Sequence, residues 1–224
     1  MNDNPQAMLS LWQWISPSLP VGSFMYSQGL ESAVENHWVT DEMSAEQWIA
    51  GVAEYGVSCL DLPVLARLYQ AWQDDNMLMI GQWNQFLLAA RETAELLAED
   101  QQVGQAMARL LSDLGIEQAQ QWKSKSTSYA TLFALACCQR QVSQSLCLQG
   151  YLWAWCENQM MAAIKLVPLG QTSGQRILQN LTTSIPDWVT AALHLEDDDI
   201  GMVLPGQVMA SMQHETQYSR LFRS

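Results

Sequence analysis
The chain reads as all-α: a single-domain bundle of roughly eight to ten helices packed around one central apolar helix. Three observations carry this. Apolar residues recur at three- and four-residue spacing along most of the 224 residues, the pattern of helices that bury one face. Convincing alternation of period two, the mark of a half-buried strand, is missing. The segment from about Ser143 to Val167 is apolar on nearly every side, as a helix in the middle of a bundle must be. There is no long Gly/Ser linker, internal repeat or low-complexity tract, so one domain over 1–224 is favoured over two. With 49% hydrophobic residues, ten Trp and twelve Met, the chain can fill a sizeable core.

The elements follow in order. An early helix must stop near Ile15, because the next fifteen or so residues carry Pro17, Pro20, Gly22 and Gly29. Proline restricts itself and its predecessor, while glycine supplies left-handed backbone. A shaped loop therefore precedes a second helix near Ser27. Ser44 followed by Gln47 predicts a capping box ahead of Trp48, Val52 and Tyr55. Leu65, Leu68, Tyr69 and Trp72 share one face behind Asp61, a candidate cap, and Pro63 in the first turn. Trp83, Phe86, Leu87, Ala90, Ala94 and Leu97 form a second stripe. Val103, Met107, Leu110, Leu111 and Leu114 form a third that closes at Gly115, and Tyr129, Leu132, Phe133 and Ala136 begin a fourth. Pro168 and Gly170 end the apolar central helix. Beyond it the pattern predicts a helix over Gln175–Thr182, another from Ser184-Ile185-Pro186 to about Leu195, and one through Val208–Met212.

Charge narrows function. Acids outnumber bases 23 to 10, for a net charge of -13, which repels phosphate backbones and disfavours nucleic acid as a partner. The start lacks a basic region followed by an apolar one, and no apolar run approaches the ~18 residues of a membrane span. Cys59, Cys137, Cys138, Cys147 and Cys156 are an odd set without disulfide or zinc spacing, and most have apolar helical neighbours. A cytoplasmic protein with no membrane partner is the expectation.

Candidate chemistry is sparse. His37, His194 and His214 are the only histidines, and none pairs with another at helical spacing. His194 beside Glu196-Asp197-Asp198-Asp199 offers one imidazole and hard oxygen ligands, but reads first as a solvated acidic loop. Gly170-Gln171-Thr172-Ser173-Gly174 lacks the central serine of a nucleophile elbow and reads as a polar turn. Cys137-Cys138 point in different directions on a helix and cannot bridge easily. No catalytic residue, metal ligand or cofactor is assigned, and the chain is not expected to be an enzyme. Lys165 interrupts the apolar helix and is expected to snorkel at its end. The final segment stands apart. Tyr218, Arg220, Leu221, Phe222 and Arg223 place two of the ten basic residues among aromatic and apolar side chains, the enriched anchors of interfaces. Residues 214–224 are thus a candidate flexible tail that orders on docking.

Ser16-Pro17-Ser18-Leu19-Pro20-Val21-Gly22-Ser23-Phe24-Met25-Tyr26-Ser27-Gln28-Gly29-Leu30-Glu31 resembles the N-terminal signature of the UreF family of urease accessory proteins. Ser211 to Ser224 resembles that family's C-terminal signature. Asp61-Leu62-Pro63 and Pro168-Leu169-Gly170-Gln171, with Gly174-Gln175, also fit. The resemblance spans essentially the whole chain.

The resemblance implies an all-helical, non-enzymatic factor that dimerises, joins the accessory protein UreD/UreH and recruits the GTPase UreG. Such an assembly inserts nickel into urease apoprotein, with the family member modulating GTP hydrolysis or the fidelity of insertion. Carried over by position, Pro20, Gly22, Phe24 and Tyr26 are expected near an interface. Tyr218, Arg220, Leu221, Phe222 and Arg223 are expected to contact the second accessory protein, and Gln171 and Gln175 to sit on a surface turn facing the GTPase. The alternative is a metallochaperone that binds nickel itself, through His194 or His214. A small-molecule enzyme hidden in a helical bundle is the other rival.

Overall fold
A helix starts where something answers its first free N–H groups, and most helices of this chain show the answer. In the computed structural model, which describes residues 4–224, Asn4 caps α1 (Pro5–Trp14), with Pro5 in the first turn. The shaped loop follows, with a 3₁₀ turn over Ser23–Met25, and leads into α2 (Leu30–Glu35). α3 (Glu42–Val52) runs through a π turn, Ala53–Val57, towards α4 (Asp61–Gln73). α5 (Met77–Ala89), α6 (Ala94–Asp113), a 3₁₀ turn at Glu117–Trp122 and α7 (Tyr129–Gln139) complete the first part. Then come the long α8 (Gln144–Leu166) and α9 (Gln171–His194), a 3₁₀ turn at Asp197–Asp199, and α10 (Pro205–His214). Among the described residues there are ten α-helices and no strand, so the fold is all-α as expected. No single helix among them is long and apolar enough to cross a membrane.

The central helix is α8, which touches α1, α2, α3, α4, α7 and α9. It packs most intimately on α9. A Cβ added at Gly174 would lie 2.3 Å from Ile164 Cδ1 and 2.9 Å from Met160 Sδ, so the absence of a side chain there sets how closely α8 and α9 approach.

Five sequence expectations are corrected. The cap of α3 is Asp41, three residues before the expected one. Its carboxylate accepts from Ser44 N at 2.8 Å while Ser44 Oγ accepts from Asp41 N at 3.0 Å. Asp61 does not cap α4; it is the first helical residue, and its carboxylate turns inward. The second apolar stripe is split between α5 and α6, with Thr93 capping the latter. The helices expected on either side of Ser184-Ile185-Pro186 are one helix, α9. Its apolar stripe of Ile177, Leu181, Ile185, Val189 and Ala192 is buried without a break. Pro186 is exposed, so the carbonyl its missing N–H leaves free lies on the outer face, and burial of the stripe outweighs the lost bond. The expected polar turn at Gly170–Gly174 is likewise the cap and first turn of α9.

The split between α5 and α6 has a use. It lets Arg91 enter the interior, where its guanidinium reaches Asp61 at 2.6 Å and Asp100 at 3.0 Å. Tyr151 Oη donates to Asp61 at 3.4 Å. Asp100 also accepts from Ser128 Oγ at 3.0 Å and Tyr129 N at 2.8 Å, which satisfies the start of α7. One ion network thereby joins α4, α6, α7 and α8.

Candidate functional site
The two segments singled out in the sequence, almost two hundred residues apart, lie side by side. Ser27 N and Gln28 N both donate to the Ser224 carbonyl, at 2.7 and 3.1 Å, and Arg223 N donates to the Met25 carbonyl at 2.9 Å. The sequence reading treats 214–224 as a tail awaiting a partner. The structure lays it on the body as a strap, with Phe222 and Ser224 buried.

Three carboxylates hold that strap. Glu31 accepts from Leu221 N at 2.7 Å and Phe222 N at 2.8 Å, using both oxygens. His214, fully buried at the end of α10, lies between Glu95 at 2.7 Å and Glu31 at 3.2 Å. Arg220 reaches Glu95 at 2.9 Å. Glu99 accepts from Gln28 Nε2 at 2.7 Å and from Ser224 Oγ at 2.9 Å. Burial pushes the Glu99 carboxyl up to about 7; the hydrogen bonds from Gln28 and Ser224 and the charge of Arg91 only partly offset that. Below the loop lies a cavity of about 140 Å³ whose wall includes Gln28, Glu99, Arg91, Tyr151 and Trp155. The same wall carries Glu99 and the Asp61–Arg91–Asp100 network, so the strap fastening and the core network meet there.

The local sequence explains why these groups meet. Gly29 adopts φ +88, and a Cβ there would stand 3.0 Å from Ser211 N, so glycine both turns the chain and admits α10. Leu30 is wholly buried, and Glu31 follows as the fastener. Lys165 is exposed at the end of α8, as expected for a snorkelling side chain, and its Nζ sits 5.5 Å over the Phe222 ring.

The expected interface residues divide into two groups. Pro20 and Phe24 are exposed on the loop, and Tyr218 and Leu221 project from the strap. Gly22, at φ +80, precedes the 3₁₀ turn. Tyr26, by contrast, is buried, and its hydroxyl donates to Gln102 Oε1 at 2.9 Å. Arg223 donates to the same oxygen at 3.3 Å. Phe222 faces inward, and Arg220 is paired with Glu95. Gln171 and Gln175 are exposed on the first turns of α9, and no side-chain hydrogen bond among the described residues ties them to the loop or strap. Sequence reasoning passed over Glu95 and Glu99 and took Glu31 only as the last letter of a motif. A carboxylate directly after Gly-Leu was the available signal.

Chemically the face offers hydrogen bonds and apolar contact. Among the described residues no group of three or more His, Cys, Asp or Glu side chains is placed to hold a metal ion. Burial pushes the Cys138 and Cys156 thiols up to about 12, far from the thiolate a nucleophile needs.

Comparison with known proteins gives the family of the chain. The UreF family model matches residues 39–182. A urease accessory protein UreF of Alkalilimnicola ehrlichii is 48% identical over 219 residues, 97% of this chain and 96% of the relative. The chain belongs to the UreF family. A relative of the same name in Hahella chejuensis is 47% identical over 98% of this chain and 99% of its own length. One from an Azoarcus strain is 41% identical with both chains fully covered. The family model lies between the loop and the strap and contains Glu95 and Glu99, two of the carboxylates that fasten them; the Azoarcus UreF relative aligns through loop and strap as well.

Proposed function
We propose that this UreF-family chain is a non-catalytic scaffold of urease maturation. In this reading it works in the cytoplasm as a homodimer, joins UreD/UreH through the loop–strap face, and brings in the GTPase UreG. The assembly inserts nickel into urease apoprotein, and the chain tunes GTP hydrolysis or the fidelity of insertion. The observation that carries the reading is the strap itself. Its backbone is bound inward by Glu31, while Tyr218 stands fully exposed and Leu221 is 65% exposed beside it. An aromatic and an aliphatic anchor on a fixed backbone lose little entropy on docking, which suits a protein interface. Nucleic acid does not fit a surface of net charge -13.

The test is complementation. Cells lacking their own UreF-family protein, supplied with nickel, urease and the other accessory proteins, are expected to regain urease activity with this chain and not with an empty vector. Soluble expression without activity, in the presence of cognate partners, overturns the proposal.

A further inference from the structure
We infer that Glu31 is a positioning residue: the N-terminal signature acts chiefly by holding the C-terminal one in a docking-ready shape, and touches the partner mainly through Phe24. This rests on the docking role proposed for the strap and states how that role is controlled.

The division of groups argues for it. Of the loop side chains, Tyr26, Ser27, Gln28 and Glu31 all bond inward, to Gln102, to Ser224, to Glu99 and to the strap backbone. Phe24 alone among the loop's aromatic residues is exposed. Glu31 is itself buried, and it takes the N–H groups of two successive residues, Leu221 and Phe222. Binding both fixes the peptide between them, so the Phe222 side chain points under Lys165 while Leu221 is presented outward. An amide in place of the carboxylate offers one accepting oxygen and one donating nitrogen to two N–H groups, so one of them is left to water. The strap then samples many conformers, and its apparent affinity for any partner falls by the fraction that remains competent.

The experiment compares the full chain with Glu31→Gln, Glu31→Asp and the double change Tyr218→Ala with Leu221→Ala. Hydrogen exchange of the 215–224 peptides and affinity for co-purified UreD/UreH are measured on each. Glu31→Gln is expected to speed strap exchange and to weaken binding, each about tenfold or more, with exchange of α4, α7 and α8 unchanged. Glu31→Asp, which keeps the charge, recovers part of both. The double variant is expected to weaken binding with strap exchange as in the parent. Unchanged strap exchange in Glu31→Gln overturns the assignment, and so does faster exchange with full affinity. If the double variant binds as the parent does, the docking reading fails, and this inference falls with it.

Discussion

Replacing Arg91 by methionine tests the core network most severely. The guanidinium makes three hydrogen bonds to two carboxylates, 2.6 and 3.3 Å to Asp61 and 3.0 Å to Asp100. Methionine keeps most of the aliphatic stem, so the loss is electrostatic. Two well-formed charged hydrogen bonds at ~1.5–3 kcal/mol each agree with the ~3–5 kcal/mol seen when one partner of a buried pair is removed. We expect about 4 kcal/mol, which for a chain of this size lowers Tm by roughly 8–16 °C. Urea unfolding followed by helical circular dichroism at neutral pH reads the change as a shift of midpoint at constant slope. Adding Asp61→Asn and Asp100→Asn to the variant should return more than half the loss, because no unpaired charge then remains in the interior. A loss below about 1 kcal/mol, or one that the two neutral amides leave undiminished, would refute the reasoning.

Two further predictions concern the strap fastening and the central packing. Glu99 has its pKa raised to about 7 from 4.5 in the folded chain, so the folded state binds this proton more tightly than the unfolded one. Its contribution is complete below about pH 4.5 and is lost as pH rises through 7, up to ~3 kcal/mol. Stability measured from pH 5 to 8 should therefore fall in the parent and fall less in Glu99→Gln; parallel curves would remove Glu99 as the cause. At Gly174, substitution by alanine forces Ile164 and Met160 to move and should cost about 1–3 kcal/mol. Trimming Ile164 to alanine in the same chain should make the added methyl almost free, and a thermal melt of the two pairs decides it.

Helical spacing made most of this fold legible, and the misses share one cause. The stripe through Ile177, Leu181, Ile185 and Val189 runs unbroken across Pro186, and burial prevails over the local breaker when the proline faces water. Conversely, the stripe from Trp83 to Leu97 looks continuous but is broken so that one arginine can turn inward. Asp100 lies only nine residues from that arginine, but the arginine's other partner, Asp61, lies thirty residues back and outside any local window. The candidate site was legible as two unusual segments, in which Tyr218, Arg220, Leu221, Phe222 and Arg223 stand out together by composition; which of them face outward was not legible. The juxtaposition of the two segments was not, and neither was the inward turn of Tyr26 and Phe222. Polar and aromatic residues in a short motif carry no sign of which neighbour, internal or external, they will meet.

The distance in sequence between Glu31 and the amides it binds, 190 and 191 residues, sets an order of events at the ribosome. The loop leaves the tunnel early and waits until the strap is made, roughly 10–40 s at ordinary rates of synthesis. Contacts of such separation close late and, being few, open early. A chain interrupted after α9 holds nine of the ten described α-helices yet cannot form this edge. Closure of this edge therefore requires that both segments be made and that α2 and α10 have come together beneath them.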